Sequence, residues 1–168
     1  MEPNPKPHKE KTMAVKGNRH WTATADMRLA HPARDIWPLL CPVREYDWIA
    51  HWDCEVVHTE SGINELGCVF RTDFPAEGPE TWLTSRYEPC SRLEFVRTGR
   101  DRIIRFEITL EADGNGTALG WTHHVTALSE EGAALFEGYA KRLADNMALL
   151  ERMLGHYLDT GEMFRPGT

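Results

Sequence analysis

At 168 residues the chain has the length of one domain, enough to bury roughly 68–70% of its unfolded surface around a single core. Hydrophobic residues make up 41% and charged residues 27%, and the 6 Trp, 6 Phe and 4 Tyr supply more aromatic bulk than a disordered chain carries. A net charge of −7 argues against a general binder of nucleic acid, which neutralises phosphates with clustered Lys and Arg.

The charge is unevenly placed, with seven basic and three acidic groups in residues 1–34 and a strongly acidic remainder. No apolar run approaches the roughly 18 residues that cross a bilayer, so membrane insertion is not expected. Met1–Lys11 lacks the apolar stretch of a secretion signal, which makes the cytoplasm the expected compartment. Cys41, Cys54, Cys68 and Cys90 form neither a CxxC pair nor a dense framework, so free thiols are expected.

Residues 1–12 alternate Pro with charge and read as a flexible arm ahead of a domain at 13–161 and a tail at 162–168. Within Met13–Leu29, Trp21, Ala23, Ala25, Met27 and Leu29 alternate with polar residues, the period of a half-buried strand. Pro32 opens a short helix over Ala33–Leu40, and a second short helical stretch is expected over Val43–Ile49. Six strands follow as three hairpins: Glu55–Thr59 with Cys68–Phe74, Thr81–Tyr87 with Arg92–Arg97, and Arg102–Glu111 with Thr117–Leu128. The last pair is joined through Asp113-Gly114-Asn115-Gly116, a strong hairpin signal. From Ser129 to Gly161, apolar residues recur at steps of three and four and predict one helix of about 30 residues.

This order, with His31-Pro32-Ala33-Arg34-Asp35-Ile36-Trp37 at the first strand-to-helix junction, resembles the START-like helix-grip superfamily, also called SRPBCC. Cys41 to Trp48, Trp52-Asp53-Cys54 and Glu65 to Phe70 are similar to a bacterial subgroup described as polyketide cyclase/dehydrase-like. The resemblance covers about residues 13–160. It implies an α+β helix-grip fold, in which a curved seven-stranded antiparallel sheet wraps a long C-terminal helix and two short helices follow the first strand. It also implies a cavity between sheet and helix that holds a small hydrophobic or aromatic molecule, with no cofactor and with a monomer or homodimer as the assembly.

Strand parity indicates which residues would line such a cavity. With Gly114-Asn115 as the loop, Leu110 lies opposite Leu119, Ile108 opposite Trp121, Phe106 opposite His123 and Ile104 opposite Val125. His123 is then the single ionisable residue on an apolar face. A neutral core imidazole is one reading, and a general acid/base or ligand donor is the other. Trp82, Thr84 and Arg86 share one face of their strand, with Leu83, Ser85 and Tyr87 on the other, and periodicity does not choose between the faces. An inward Arg86 would need a carboxylate, and Glu45 is the candidate partner. His123, Arg86 and Glu45 are therefore the candidates for proton transfer.

Trp48 and Trp52 are expected near the entrance, with Phe70 and Thr72 on the inner face of their strand. Trp82, Phe95, Phe106, Ile108 and Trp121 would add further wall, and Tyr139, Leu143 and Met147 would close it from the helix. His51, Cys54, Glu55 and His58 match no defined zinc spacing, so no metal site is expected. Arg92, Arg97, Arg100, Arg102 and Arg105 cluster around Thr98-Gly99 and read as a solvated edge that counters the acidic body. Three functions remain: a binder of an apolar metabolite, a cyclase/aromatase-like enzyme, and a protein-interaction module of the chaperone-activator kind.

Overall fold

The computed structural model describes residues 19–165. The expected arm at 1–12, the start of the domain at 13 and the last residues of the tail lie outside the described residues. Seven strands form one antiparallel sheet: β1 His20–Leu29, β2 Glu55–His58, β3 Val69–Phe74, β4 Gly78–Glu88, β5 Arg92–Thr98, β6 Arg102–Asp113 and β7 Gly116–Ala127. Their spatial order is β1-β7-β6-β5-β4-β3-β2, so five neighbouring pairs from β2 to β7 are consecutive in sequence and β1 closes onto β7. A meander of this kind follows from short hairpin connections, which make sequential strands spatial neighbours.

The final hairpin takes the predicted register, with Phe106 opposite His123 and Ile108 opposite Trp121. That register sends Ile104, Phe106, Ile108, Leu110, Leu119, Trp121, His123 and Val125 into the core, and leaves His124 on the outer face. Gly116 is needed at the start of β7 because a Cβ there would stand 2.2 Å from the Leu29 carbonyl oxygen. Only a bare backbone lets β1 and β7 run together at that point.

Between β1 and β2, α1 spans Ala33–Ile36 and runs into a 3-10 turn at Trp37–Leu39, where Pro38 cannot donate to continue the helix. The second expected stretch is a 3-10 turn over Glu45–Asp47. The junction before α1 is tied down twice: Thr117 Oγ1 donates to the His31 carbonyl at 2.8 Å, and His31 Nε2 lies 2.8 Å from Asp159 on the closing helix.

The long C-terminal helix is divided, which corrects the expectation of one unbroken segment. α2 covers Glu130–Ala134, with Ser129 Oγ accepting from the Gly132 N–H at 2.9 Å, and α3 covers Tyr139–Thr160. Gly138 separates them at φ +70°, a left-handed conformation that no helix interior contains. The apolar periodicity runs through the break because Phe136 and Tyr139 both face inward, and Phe136 stacks on Trp21 at 4.3 Å between ring centroids. α3 is 22 residues long, about 33 Å at 1.5 Å per residue, and packs along β1 while burying Leu143, Met147, Met153 and Leu154. Phe164, in the expected tail, returns to pack edge-on against His156.

Candidate functional site: a cavity between sheet and helix

A cavity of about 750 Å³ lies between the concave face of the sheet and α3. Of the residues expected to line it, Phe70, Trp82, Phe95, Phe106, Ile108 and Trp121 do so from the sheet. His123, Tyr139, Leu143 and Met147 line it around and along the helix, and Glu45, Trp48 and Trp52 from the segment before β2. The rings interlock: Phe70 stacks on Trp82 at 5.1 Å, Phe106 on Trp121 at 5.4 Å, and Phe95 meets Trp82 edge-on at 5.6 Å. Such offset and edge-on pairs hold the walls in one shape.

Two candidates stand elsewhere. Thr72 is buried but lies behind the wall, where its hydroxyl accepts the Trp82 indole N–H at 2.9 Å. Arg86 points to the outer face, the solvated one of the two that alternation left open, and does not pair with Glu45. The β4–β5 register slips between Thr84 and Arg86, so Ser85 is an extra residue and the parity of the strand reverses there. Thr84 remains inside, Tyr87 turns inward to meet Trp37, and Arg86 joins Glu88 and Glu107 on the solvent side.

The inward charges come instead from the arginine cluster. Arg97 and Arg102 are buried, at 6% and 8% exposure, and are not part of a solvated edge. Glu80, also buried, lies between them: Arg97 Nε donates to one carboxylate oxygen and Arg102 Nε to the other, each at 3.0 Å. Glu77 adds a second carboxylate to Arg97 from the β3–β4 turn. The Arg97 guanidinium also lies over the Trp82 ring at 4.1 Å, a cation–π contact within the wall. The signal that could have found them was parity, since Arg97 continues the inward series Leu93, Phe95 on β5, and Arg102 continues Ile104, Phe106 on β6.

His123 Nδ1 meets the Tyr139 hydroxyl at 2.7 Å. Burial, reinforced by Arg97 and Arg102, holds the imidazole down at about 3, so it is neutral at physiological pH. Burial likewise pushes the Tyr139 phenol up and keeps its proton in place. Two buried side-chain atoms, Trp121 Nε1 and His123 Nε2, lack a hydrogen-bond partner among the described residues, while Arg102 Nη2 is ion-paired with Glu80 at 2.9 Å. All three belong to residues of the cavity wall.

Glu45 is the other ionisable group of the wall. It is half-buried on the cavity wall, where desolvation with no compensating charge pushes its carboxyl up to about 8. At neutral pH it therefore holds a proton. Among the described residues no group of three or more His, Cys, Asp or Glu could hold a metal, and no helix is long and apolar enough to cross a membrane.

A seven-stranded antiparallel sheet that grips a long helix, with a cavity between them, is a helix-grip fold. Solved structures with this fold include DynU16, a protein of the dynemicin biosynthetic locus. It is 20% identical at a TM-score of 0.59, covering 84% of this chain and 48% of DynU16. This chain thus spans about half the length of DynU16. CalU16 from Micromonospora echinospora is 18% identical at a TM-score of 0.56, covering 89% of this chain and 88% of its own. The Aha1 dimer from Colwellia psychrerythraea is 13% identical at a TM-score of 0.61, covering 84% and 98%. At these identities the likeness carries the fold. No protein-family model matches the chain, and no curated protein matches it in sequence.

Proposed function

We propose that this protein binds a small, mostly apolar or aromatic metabolite in the cavity between its sheet and α3. The observation that carries this reading is the cavity itself, about 750 Å³ with aromatic walls and a few polar groups among them. Small-molecule sites commonly have this form, in which apolar surface supplies the affinity and convergent polar groups set the orientation. Trp121 and His123 add polar groups for oxygen atoms on the ligand. The biosynthetic locus of DynU16 is a context in which a small-metabolite cavity has a use. The protein would act in the cytoplasm, as a monomer or as a homodimer like the Aha1 structure.

The test compares the intact mass of natively purified protein with that of the denatured chain, alongside a Leu143→Trp variant whose added ring occupies the cavity. An organic adduct on the wild type that the variant lacks supports the reading. An empty wild-type protein that also fails to bind aromatic probes overturns it.

A second reading, a polyketide cyclase/aromatase-like enzyme, is favoured by one observation, the Glu45 carboxyl on the cavity wall with no counter-charge, where desolvation raises it to about 8. A general acid works best with a pKa near the operating pH, which Glu45 meets and His123, at about 3, does not. In that reading Glu45 donates the proton, and the His123–Tyr139 pair positions an acceptor oxygen. Held geometry alone lowers an ideal intramolecular barrier by roughly 7–11 kcal/mol, so a sparse site suffices. Loss of turnover in Glu45→Gln with ligand affinity kept would favour the enzyme over the carrier.

A further inference from the structure

We infer that the ligand of this cavity carries a basic nitrogen, an amine or amidine, that pairs with the Glu45 carboxyl on the cavity wall that Trp52 shares. The inference rests on the cavity being a ligand site and specifies the chemical class that enters it. Glu45 differs from the other inward charges in having no counter-charge. Glu77 and Glu80 are matched by Arg97 and Arg102. Arg44, the adjacent cation, is turned to Asp47 at 2.6 Å. No hydrogen bond or ion pair reaches the Glu45 carboxyl among the described residues, and no cation offsets its burial.

The indoles nearby have already used their donors. Trp48 Nε1 donates to the Leu39 carbonyl at 3.0 Å and Trp52 Nε1 to the Pro42 carbonyl at 2.8 Å. What this segment offers a ligand is therefore one carboxyl and the partly exposed ring of Trp52, both of which attract a cation. The Glu45–Asp47 turn also fixes the residue, because its backbone N–H donates to Cys41 and its carbonyl accepts from Ile49 at 2.8 Å. The charges balance: a free amine takes the Glu45 proton within the cavity, or an ammonium releases that proton to solvent. Either route leaves a neutral ion pair.

The experiment measures the binding of naphthylmethylamine and naphthylmethanol, two probes of nearly equal size and shape, to wild-type protein and to Glu45→Gln by tryptophan fluorescence at neutral pH. The expected result is an amine preference of about 10- to 100-fold in the wild type, the range of one charge-assisted hydrogen bond, reduced to parity in Glu45→Gln. Equal binding of both probes to the wild type overturns the inference and leaves the cavity reading standing. An amine preference that survives in Glu45→Gln overturns the assignment to this residue. Binding of neither probe overturns both the inference and the cavity reading beneath it. The wild-type comparison is decisive even if the variant does not fold.

Discussion

The His123 imidazole and the Tyr139 hydroxyl meet at 2.7 Å across the gap between β7 and the first turn of α3. This hydrogen bond joins the sheet to the closing helix just after the break at Gly138. Replacing Tyr139 with Phe leaves His123 with neither ring nitrogen satisfied. Leaving a buried polar group unpaired costs about 1–3 kcal/mol, so the variant is expected to unfold earlier in urea by that amount. A midpoint unchanged from the wild type would show that this bond does not hold the helix to the sheet.

His123 and Glu45 give the fold opposite dependences on pH. The folded imidazole titrates at about 3 against an ordinary 6.5, so the unfolded chain binds the extra proton between those values and stability falls as pH drops through that window. The folded Glu45 carboxyl titrates at about 8 against an ordinary 4.5, so the folded chain binds the extra proton and stability falls as pH rises from 4.5 to 8. Glu45→Gln is therefore expected to raise the Tm more at pH 8 than at pH 5. Equal shifts at both values would place the carboxyl in open solvent.

Glu80 is the centre of the buried charge cluster, and Glu80→Gln leaves Arg97 and Arg102 with reduced compensation. Breaking a buried ion pair from one side costs about 3–5 kcal/mol. Glu77→Gln, at a third-exposed side chain, is expected to cost clearly less. Paired denaturation curves check the order, and a reversed order would make the β3–β4 turn the true anchor.

The four free thiols differ in exposure, with Cys90 exposed, Cys54 half-buried and Cys41 and Cys68 buried. Burial also pushes the Cys54 and Cys68 thiols up, which lowers their thiolate fraction. A maleimide reagent is expected to label Cys90 first under native conditions and all four only after unfolding. Rapid native labelling of Cys68 would contradict the packing around β3.

Gly116→Ala should prevent the native pairing of β1 with β7, because the added carbon meets backbone that cannot move aside. Gly138→Ala meets only the end of the Arg142 side chain and costs the left-handed strain, about 1–2 kcal/mol. Circular dichroism of the two variants separates a lost fold from a weakened one.

The parts of this fold that were legible in the sequence are those governed by one local rule. The β6–β7 register followed from a two-residue turn and strict alternation, and it placed His123, Trp121 and Phe106 inside without further information. Arg97 and Arg102 obeyed the same alternation, but an expectation based on charge sent them to the surface, because Arg is rarely buried unless paired. Their partners, Glu80 at the start of β4 and Glu77 in the turn ahead of it, lie just before the Thr81–Tyr87 stretch that alternation marked as strand. The break at Gly138 was hidden for a related reason. Apolar periodicity reports which face is buried, and both sides of the break bury the same face.

The extra residue at Ser85 divides β4 into two reading frames. Before it, even positions belong to the helix-facing side of the sheet; after it, odd positions do. Straightening the strand there with Ser85 kept in the ladder would turn Arg86 into the aromatic interior and Tyr87 into water, without altering the character of any side chain. An inserted residue there would thus be felt more strongly than most changes of identity, whereas deletion of Ser85 alone would leave Thr84, Arg86 and Tyr87 on their present faces.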